Sequence, residues 1–477
     1  MDKKKIIGWI IAIILTLATW CLPTEAFGIP GLTVVEQRVI ALFIFAACMW
    51  IGEPIPIWTT SVLVMVLMLV TTSDSMLNIL YVDGVKPENA ISYKAIMAAF
   101  ADPTIMLFMG GFVLAITASK YKFDAALAKV MMKPFGKKPH MVMLGFILIT
   151  SIFSMFMSNT ATAAMMLAIL SPVLAKMPSD GKGRIGMALA IPMAANIGGM
   201  GTPIGTPPNA VAVKYLAEAL GAPVGFGQWM LIMVPIVIVI LLLAWTFLCK
   251  VFPFRKGQEL NVEIEGEFDK SPKAWVVYIT FIVTILLWLT GKLTGLNANV
   301  VALIPFAVFA MCGIFDKNDL KKMDWDVLWL VAGGFALGVG LDKTGLAQHL
   351  VEAIPFSEWP VLLVIIGSGF LCLLMSTFMS NSATAALLIP ILAAVANGMT
   401  TQLVPFGGAA TLLIGLALSA SLAMSLPIST PPNALAYGKG FIKQGQMAAV
   451  GIFVGLVGMV IVYAVLISIS KTGFSFV

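Results

Sequence analysis

The sequence predicts an all-α polytopic membrane protein: eleven transmembrane helices plus two re-entrant hairpins, arranged as an inverted repeat. Three observations carry that class. Of 477 residues, 60% are hydrophobic and 11% charged, and the mean hydropathy is +1.00, whereas soluble domains carry about 25% charged residues. Apolar runs near the ~20 residues needed to cross hydrocarbon recur along the whole chain. A polar island at 153–164, Phe-Ser-Met-Phe-Met-Ser-Asn-Thr-Ala-Thr-Ala-Ala, returns 222 residues later at 375–386 with nine of twelve residues identical.

The candidate spans fall at 6–23, 38–52, 57–72, 104–119, 184–219, 228–252, 274–291, 297–315, 324–341, 407–438 and 446–470. Lys3 to Lys5 ahead of an apolar run resemble a signal peptide, but 16–24 has no small-residue cleavage site, so a retained first span within 1–37 is expected. The runs 141–175 and 360–396 are about 35 residues each and hold the polar island near their middle. Each is read as a hairpin that enters and leaves by one face, because only then do the basic loops fall on one side. With the N-terminus inside, 22 of the 29 Lys and Arg residues lie in internal loops, as the positive-inside rule requires. The segment 253–273, with Glu259, Glu263, Glu265, Glu267 and Asp269 among lysines, reads as a cytoplasmic linker.

Two further landmarks repeat. Gly110-Gly111-Phe112 matches Gly333-Gly334-Phe335 at an offset of 223, and Thr206-Pro207-Pro208-Asn209 matches Thr430-Pro431-Pro432-Asn433 at 224. The halves are 38–252 and 274–477. Five full spans in each is an odd number, so the copies should be oppositely oriented, with a binding site between them.

Hydrocarbon supplies no hydrogen bonds, so the island's Ser154, Ser158, Asn159, Thr160 and Thr162 must find partners in protein, water or a ligand. Paired prolines cannot sit inside an intact helix. The runs 184–219 and 407–438 should therefore be broken, exposing carbonyls that suit a small hard cation and amide groups that suit an anion. Ser-Asn-Thr and Ser-Asn-Ser at the hairpin tips are good helix N-caps. Two such tips could hold a dicarboxylate without formal charge, and bound cations would offset the cost of desolvating two negative charges.

At these residues the chain resembles the divalent anion/sodium symporter family of di- and tricarboxylate transporters: Ser158-Asn159-Thr160, Ser380-Asn381-Ser382, both Thr-Pro-Pro-Asn segments and the Trp50-Ile-Gly-Glu-Pro-Ile-Pro junction. The resemblance implies that both tips bind substrate carboxylates, with Thr206 and Thr430 close by. It implies a first sodium site at Ser154, Ser158, Asn159 and the carbonyl of Gly205, and a second at Ser376, Asn381 and the carbonyl of Ser429. It also implies a homodimer working by an elevator motion. Ser382 departs from the family pattern, where threonine is usual, keeping the hydroxyl and losing a methyl.

The blander alternatives are structural. Ser154, Thr162, Ser376 and Thr384 can bond back to their own helices. Glu53 and Asp102 can be end caps, His140 and His349 solvated loop residues, Lys120 and Lys343 interface anchors, and the 30 methionines adaptable packing. Two histidines and five scattered cysteines form no metal or redox pattern, and neither island holds a base for hydrolysis.

The expected function is import of C4 dicarboxylates such as succinate, fumarate or malate, coupled to at least two sodium ions, with no organic cofactor and no catalytic residue. Sodium-independent exchange of dicarboxylate or citrate is the nearest alternative, and an anion channel a remote one. The lipid bilayer and a second copy of the chain are the expected partners, with no nucleic acid. The expected setting is a prokaryotic inner membrane, N-terminus cytoplasmic and C-terminus outside.

Overall fold

The computed structural model describes residues 3–178, 181–262, 264, 266–353 and 358–471. Glu263 and Glu265 of the expected linker, and 472–477 of the second half, lie outside the described residues. Among the described residues the chain is helical, with two isolated β-bridges, Ser73 with Ile91 and Val82 with Val85.

Helices occupy all eleven expected span positions, beginning with Lys3–Cys21, Val34–Gly52, Ile57–Thr71 and Pro103–Lys120. By length and composition, nine described helices can cross a membrane, or ten if the bent pair Thr400–Phe406 and Gly408–Ser421 is one span. The number differs from eleven for a physical reason. Three hairpin arms, Asn159–Lys176, Val361–Phe378 and Asn381–Gly398, are long and apolar enough to qualify, whereas three expected spans, Lys5–Cys21, Ile57–Thr71 and Ala298–Met311, are shorter apolar helices that do not. Each interrupted span instead divides into pieces, Lys182–Gly199 with Pro207–Glu218 and Gly408–Ser421 with Pro431–Gly438. Large apolar side chains stay exposed along several helices, among them Leu231, Ile279, Leu286, Leu363 and Val460. Patches of this kind suit a lipid-facing surface.

The polar islands form two helical hairpins. Pro139–Ser154 turns into Asn159–Lys176, and Val361–Phe378 turns into Asn381–Gly398. Each lies against the first piece of its own half's interrupted helix: Pro139–Ser154 on Lys182–Gly199, and Val361–Phe378 on Gly408–Ser421. The second pieces cross over. Pro207–Glu218 packs on the second hairpin's Asn381–Gly398, and Pro431–Gly438 packs on the first hairpin's Asn159–Lys176. This exchange brings both polar islands to one place.

The repeated Gly-Gly pairs are close-approach points between the halves. A Cβ on Gly110 would stand 2.1 Å from the Ala302 carbonyl oxygen, and one on Gly333 would stand 2.4 Å from Ser61 Cβ. Helix Pro103–Lys120 therefore seats on Ala298–Met311, and Trp325–Thr344 on Ile57–Thr71, by the small-residue contact that lets membrane helices approach.

The linker is irregular as expected, yet anchored. Leu260 and Ile264 are buried and the Leu260 N–H donates to the Lys137 carbonyl at 2.9 Å. His349 is another surprise, its Nδ1 standing 2.9 Å from Oε1 of the buried Glu36. Asp102 does cap its helix, accepting from Thr104 N at 2.8 Å, and also pairs with Lys214.

Candidate functional site

Both tips are built alike. Ser158 is the N-cap of Asn159–Lys176 and its hydroxyl accepts from Ala161 N at 3.3 Å. Ser380 holds the equivalent extended conformation before Asn381, without a side-chain cap bond. Behind each tip sits a fully buried serine. Ser154 Oγ lies 2.6 Å from Asn159 Oδ1 and donates to the Ala195 carbonyl at 2.7 Å. Ser376 Oγ lies 2.8 Å from Asn381 Oδ1 and donates to the Ala420 carbonyl at 3.1 Å.

The interrupted helices break just ahead of the paired prolines, not at them. Pro207 and Pro431 open the second pieces, where a missing N–H costs nothing and the fixed φ suits a first turn. The asparagine ending each Thr-Pro-Pro-Asn segment staples its break. Asn209 Nδ2 donates to the carbonyls of Gly199 and Thr202 at 3.0 and 2.8 Å, and Asn433 Nδ2 to those of Met424 and Leu426 at 2.8 and 3.0 Å. Gly199 and Gly205 are needed for closeness, since a Cβ on Gly205 would meet the Gly199 carbonyl oxygen at 2.4 Å. Ser429 Oγ donates to the Thr377 carbonyl at 2.7 Å, tying the second break to its hairpin.

These loops bring the first oxygen set together. The terminal atom of the Asn159 amide facing Ser154 is 2.6 Å from its Oγ, 3.1 Å from the Ala195 carbonyl and 3.2 Å from the Gly205 carbonyl. With Nδ2 turned inward, that atom donates to all three. With Oδ1 inward, four oxygens converge, a donor set suited to a small hard cation. Ser158, the residue before Asn159, sits at the tip itself. In the second half Ser376, Asn381 and the Ala420 carbonyl repeat the arrangement, while Ser429 lies on the break beside them.

The tips face one cavity of about 580 Å³. Ser158, Asn159, Thr160, Ser380, Asn381, Ser382, Thr206 and Thr430, the eight residues singled out for substrate, all line it, as do Gly205 and Ser429. Ser154 and Ser376 lie behind the wall. A larger cavity of about 770 Å³, beside Lys214, Trp288 and Asn297, contains none of them. The smaller one carries the convergent polar chemistry.

Thr430 shows how a hydroxyl is poised there. It accepts from Asn433 N at 3.3 Å and from Asn196 Nδ2 at 3.1 Å, so its own proton is left to point at an acceptor.

The cavity is also lined by Glu53, which the sequence reading took for an end cap, and by Asp324 and Asp326, which it did not single out, and its walls include no Lys or Arg. Glu53 takes a left-handed turn, φ 42°, after Val34–Gly52, and Asp324 precedes Trp325–Thr344 without a side-chain cap bond, its carboxylate beside the Ser158 hydroxyl. The Ala195 and Ala420 carbonyls left no sequence signal, because every residue has one. Asn196 had a signal: a lone amide in an otherwise apolar stretch, 188–197.

Two hairpins meeting two interrupted helices at one polar cavity, inside an apolar helical chain, define a membrane protein of the secondary-transporter class. The family model described as "Citrate transporter" matches residues 40–409. The chain therefore belongs to that family, among the divalent anion/sodium symporters, and is a multi-pass membrane transporter, not an enzyme.

Among its relatives, the sodium-dependent dicarboxylate transporter SdcS of Staphylococcus saprophyticus is 30% identical over 97% of this chain and 92% of its own length. An uncharacterized transporter of Haemophilus influenzae is 32% identical, covering 89% of each chain. In fold, the Alcanivorax borkumensis YdaH transporter matches with TM-score 0.58 at 13% identity, over 92% of this chain and 99% of that one.

Proposed function

We propose that this protein imports C4 dicarboxylates such as succinate, fumarate and malate, driven by sodium. The observation that carries the proposal is the convergence of both hairpin tips on one cavity with a serine–asparagine–carbonyl cluster behind each tip. Ser158, Asn159 and Thr160 take one substrate carboxylate, Ser380, Asn381 and Ser382 the other, and Thr206 and Thr430 complete the wall. One sodium ion is held by Ser154, Ser158, Asn159 and the Gly205 carbonyl. A second is held by Ser376, Asn381 and the Ser429 carbonyl.

Electrostatics favours coupling. A dianion entering a space lined by Glu53, Asp324 and Asp326 and no basic residue needs positive charge supplied with it. Two sodium ions neutralise it, and the desolvation cost of several kcal/mol per unpaired ion falls accordingly. The names of the Staphylococcus relatives, sodium-dependent dicarboxylate transporters, agree with this chemistry.

The remaining parts of the proposal concern organisation. Repeats 38–252 and 274–477 are inverted, with 253–273 a cytoplasmic linker, and the hairpins re-enter the membrane from opposite faces. A homodimer in a bacterial inner membrane, N-terminus cytoplasmic and C-terminus outside, carries substrate by an elevator motion.

Uptake of labelled succinate into proteoliposomes tests the function. Saturable uptake that follows the sodium gradient and disappears when choline replaces sodium is the expected result. Uptake that depends only on internal dicarboxylate identifies an exchanger, and uptake that follows voltage alone a channel. Asn159→Ala and Asn381→Ala should each abolish transport while the protein still purifies as a folded species; wild-type rates in both would remove the site assignment.

A further inference from the structure

One buried side chain of the first half's cavity wall has no equivalent in the second. Asn196 is 1% exposed and lines the cavity, and its Nδ2 donates across the halves to Thr430 Oγ1 at 3.1 Å and Asn433 Oδ1 at 3.2 Å. Its orientation is forced. Asn433 spends its own Nδ2 on the carbonyls of Met424 and Leu426, so it can offer Asn196 only an oxygen. Asn196 must answer with nitrogen, and its Oδ1 is left buried with no hydrogen-bond partner. A buried polar atom in that state calls for an explanation, a ligand among them.

The second half has no such group. Ser154 and Ser376 donate to the Ala195 and Ala420 carbonyls, so Ala195 corresponds to Ala420 and Asn196 to Ser421. Ser421 Oγ bonds back to its own helix at the Ala417 carbonyl, 3.2 Å away. Asn196 accordingly has no counterpart in the second half.

Two polarities therefore sit side by side. Thr430 keeps a proton to donate, because Asn196 Nδ2 and Asn433 N occupy its acceptor side, while the adjacent Asn196 Oδ1 holds an unspent lone pair just beneath the cavity wall. A 2-hydroxycarboxylate is the complement: its carboxylate oxygen accepts and the hydroxyl on the adjacent carbon donates. We propose that Asn196 is a specificity-determining residue that selects dicarboxylates bearing a 2-hydroxyl, with Thr430 holding the neighbouring carboxylate. The proposal rests on the dicarboxylate reading above and adds an asymmetric preference to it.

Competition against labelled succinate uptake in proteoliposomes tests this with malate, succinate and 2-fluorosuccinate, the last close to malate in size but without a hydroxyl proton. In the unaltered protein malate should compete better than 2-fluorosuccinate by roughly three- to tenfold, the factor that one neutral hydrogen bond gives. In Asn196→Leu the advantage of malate over 2-fluorosuccinate should vanish, so that the two compete equally. Equal competition by malate and 2-fluorosuccinate in the unaltered protein overturns the proposal, and needs no variant to fold. A loss in Asn196→Leu that falls equally on malate and succinate also overturns it, since a residue that only braces Asn433 would act that way. If no dicarboxylate competes or is taken up, the dicarboxylate reading itself fails and takes this inference with it.

Discussion

Ser154 and Ser376 each touch an asparagine amide and a helix carbonyl, although neither lines the cavity. Removing either hydroxyl should weaken the cation without moving the substrate's own contacts. Ser154→Ala and Ser376→Ala are expected to raise the sodium concentration for half-maximal uptake by roughly ten- to a hundredfold, as loss of one polar contact to a charge implies at ~1.5–3 kcal/mol. A sodium titration at saturating succinate reads this, and an unchanged half-point would exclude them as ligands. Asp324 predicts the opposite sign. Its carboxylate faces Ser158 at the cavity wall, and a like charge several ångströms from a bound anion costs about 1 kcal/mol in a hydrated gap. Asp324→Asn should tighten succinate binding about fivefold at neutral pH, measured by competition; weaker binding would mean that Asp324 supports the tip instead of repelling the ligand.

At the scale of the element, the interrupted helices depend on glycine for closeness. A Cβ on Gly205 meets a backbone carbonyl at 2.4 Å, which no side-chain rotation relieves, and one on Gly199 meets Asn159 Oδ1 at 2.5 Å. Gly205→Ala should cost about 1–3 kcal/mol, the usual penalty of overpacking, and should abolish sodium-driven uptake. Gly438→Ala is the matched control, because an added Cβ there meets nothing within 4 Å. Thermal unfolding in detergent should show a lower midpoint for the first and little change for the second. The sequence located these breaks through their prolines, yet the chain opens ahead of them, since proline suits a first helical turn as well as it disrupts an interior one. What the motif reading did not supply was the stapling by Asn209 and Asn433, a contact made only once the loop has closed on them.

Across the whole molecule, one nearly buried cation ties two elements of its own half together and reaches the other half. Lys214, on the piece Pro207–Glu218, pairs with Asp102 at the start of Pro103–Lys120, and its Nζ lies 3.7 Å from the centre of the Phe335 ring on Trp325–Thr344. Both charged side chains are nearly enclosed, at 9% and 8% exposure. Lys214→Met should therefore destabilise by roughly 3–5 kcal/mol, because it strands a buried carboxylate, whereas adding Asp102→Asn should recover much of that loss. A double-mutant cycle on detergent unfolding measures the coupling, and additive single effects would show the pair to be independent.

The sequence by itself determined the membrane class, the eleven helical stretches, the two hairpins, the two breaks and the eight residues that line the cavity. Most were legible because polar groups inside apolar runs are costly and rare, and because the pattern appears twice at a near-constant offset, so each half corroborated the other; the place of Thr206 and Thr430 beside the tips came from the family resemblance. Only the tertiary structure decided which half's helix meets which hairpin, and with it the Ala195 and Ala420 carbonyls, the acidic wall of Glu53, Asp324 and Asp326, and the lone amide of Asn196. The reason is physical: a main-chain carbonyl has no signature in residue type, and a charged or amide side chain at a span end or in a helix looks alike whether it faces water, packing or a ligand. Its partner across the fold makes the difference, and the chain supplies that partner from more than 200 residues away, as Thr430 does for Asn196.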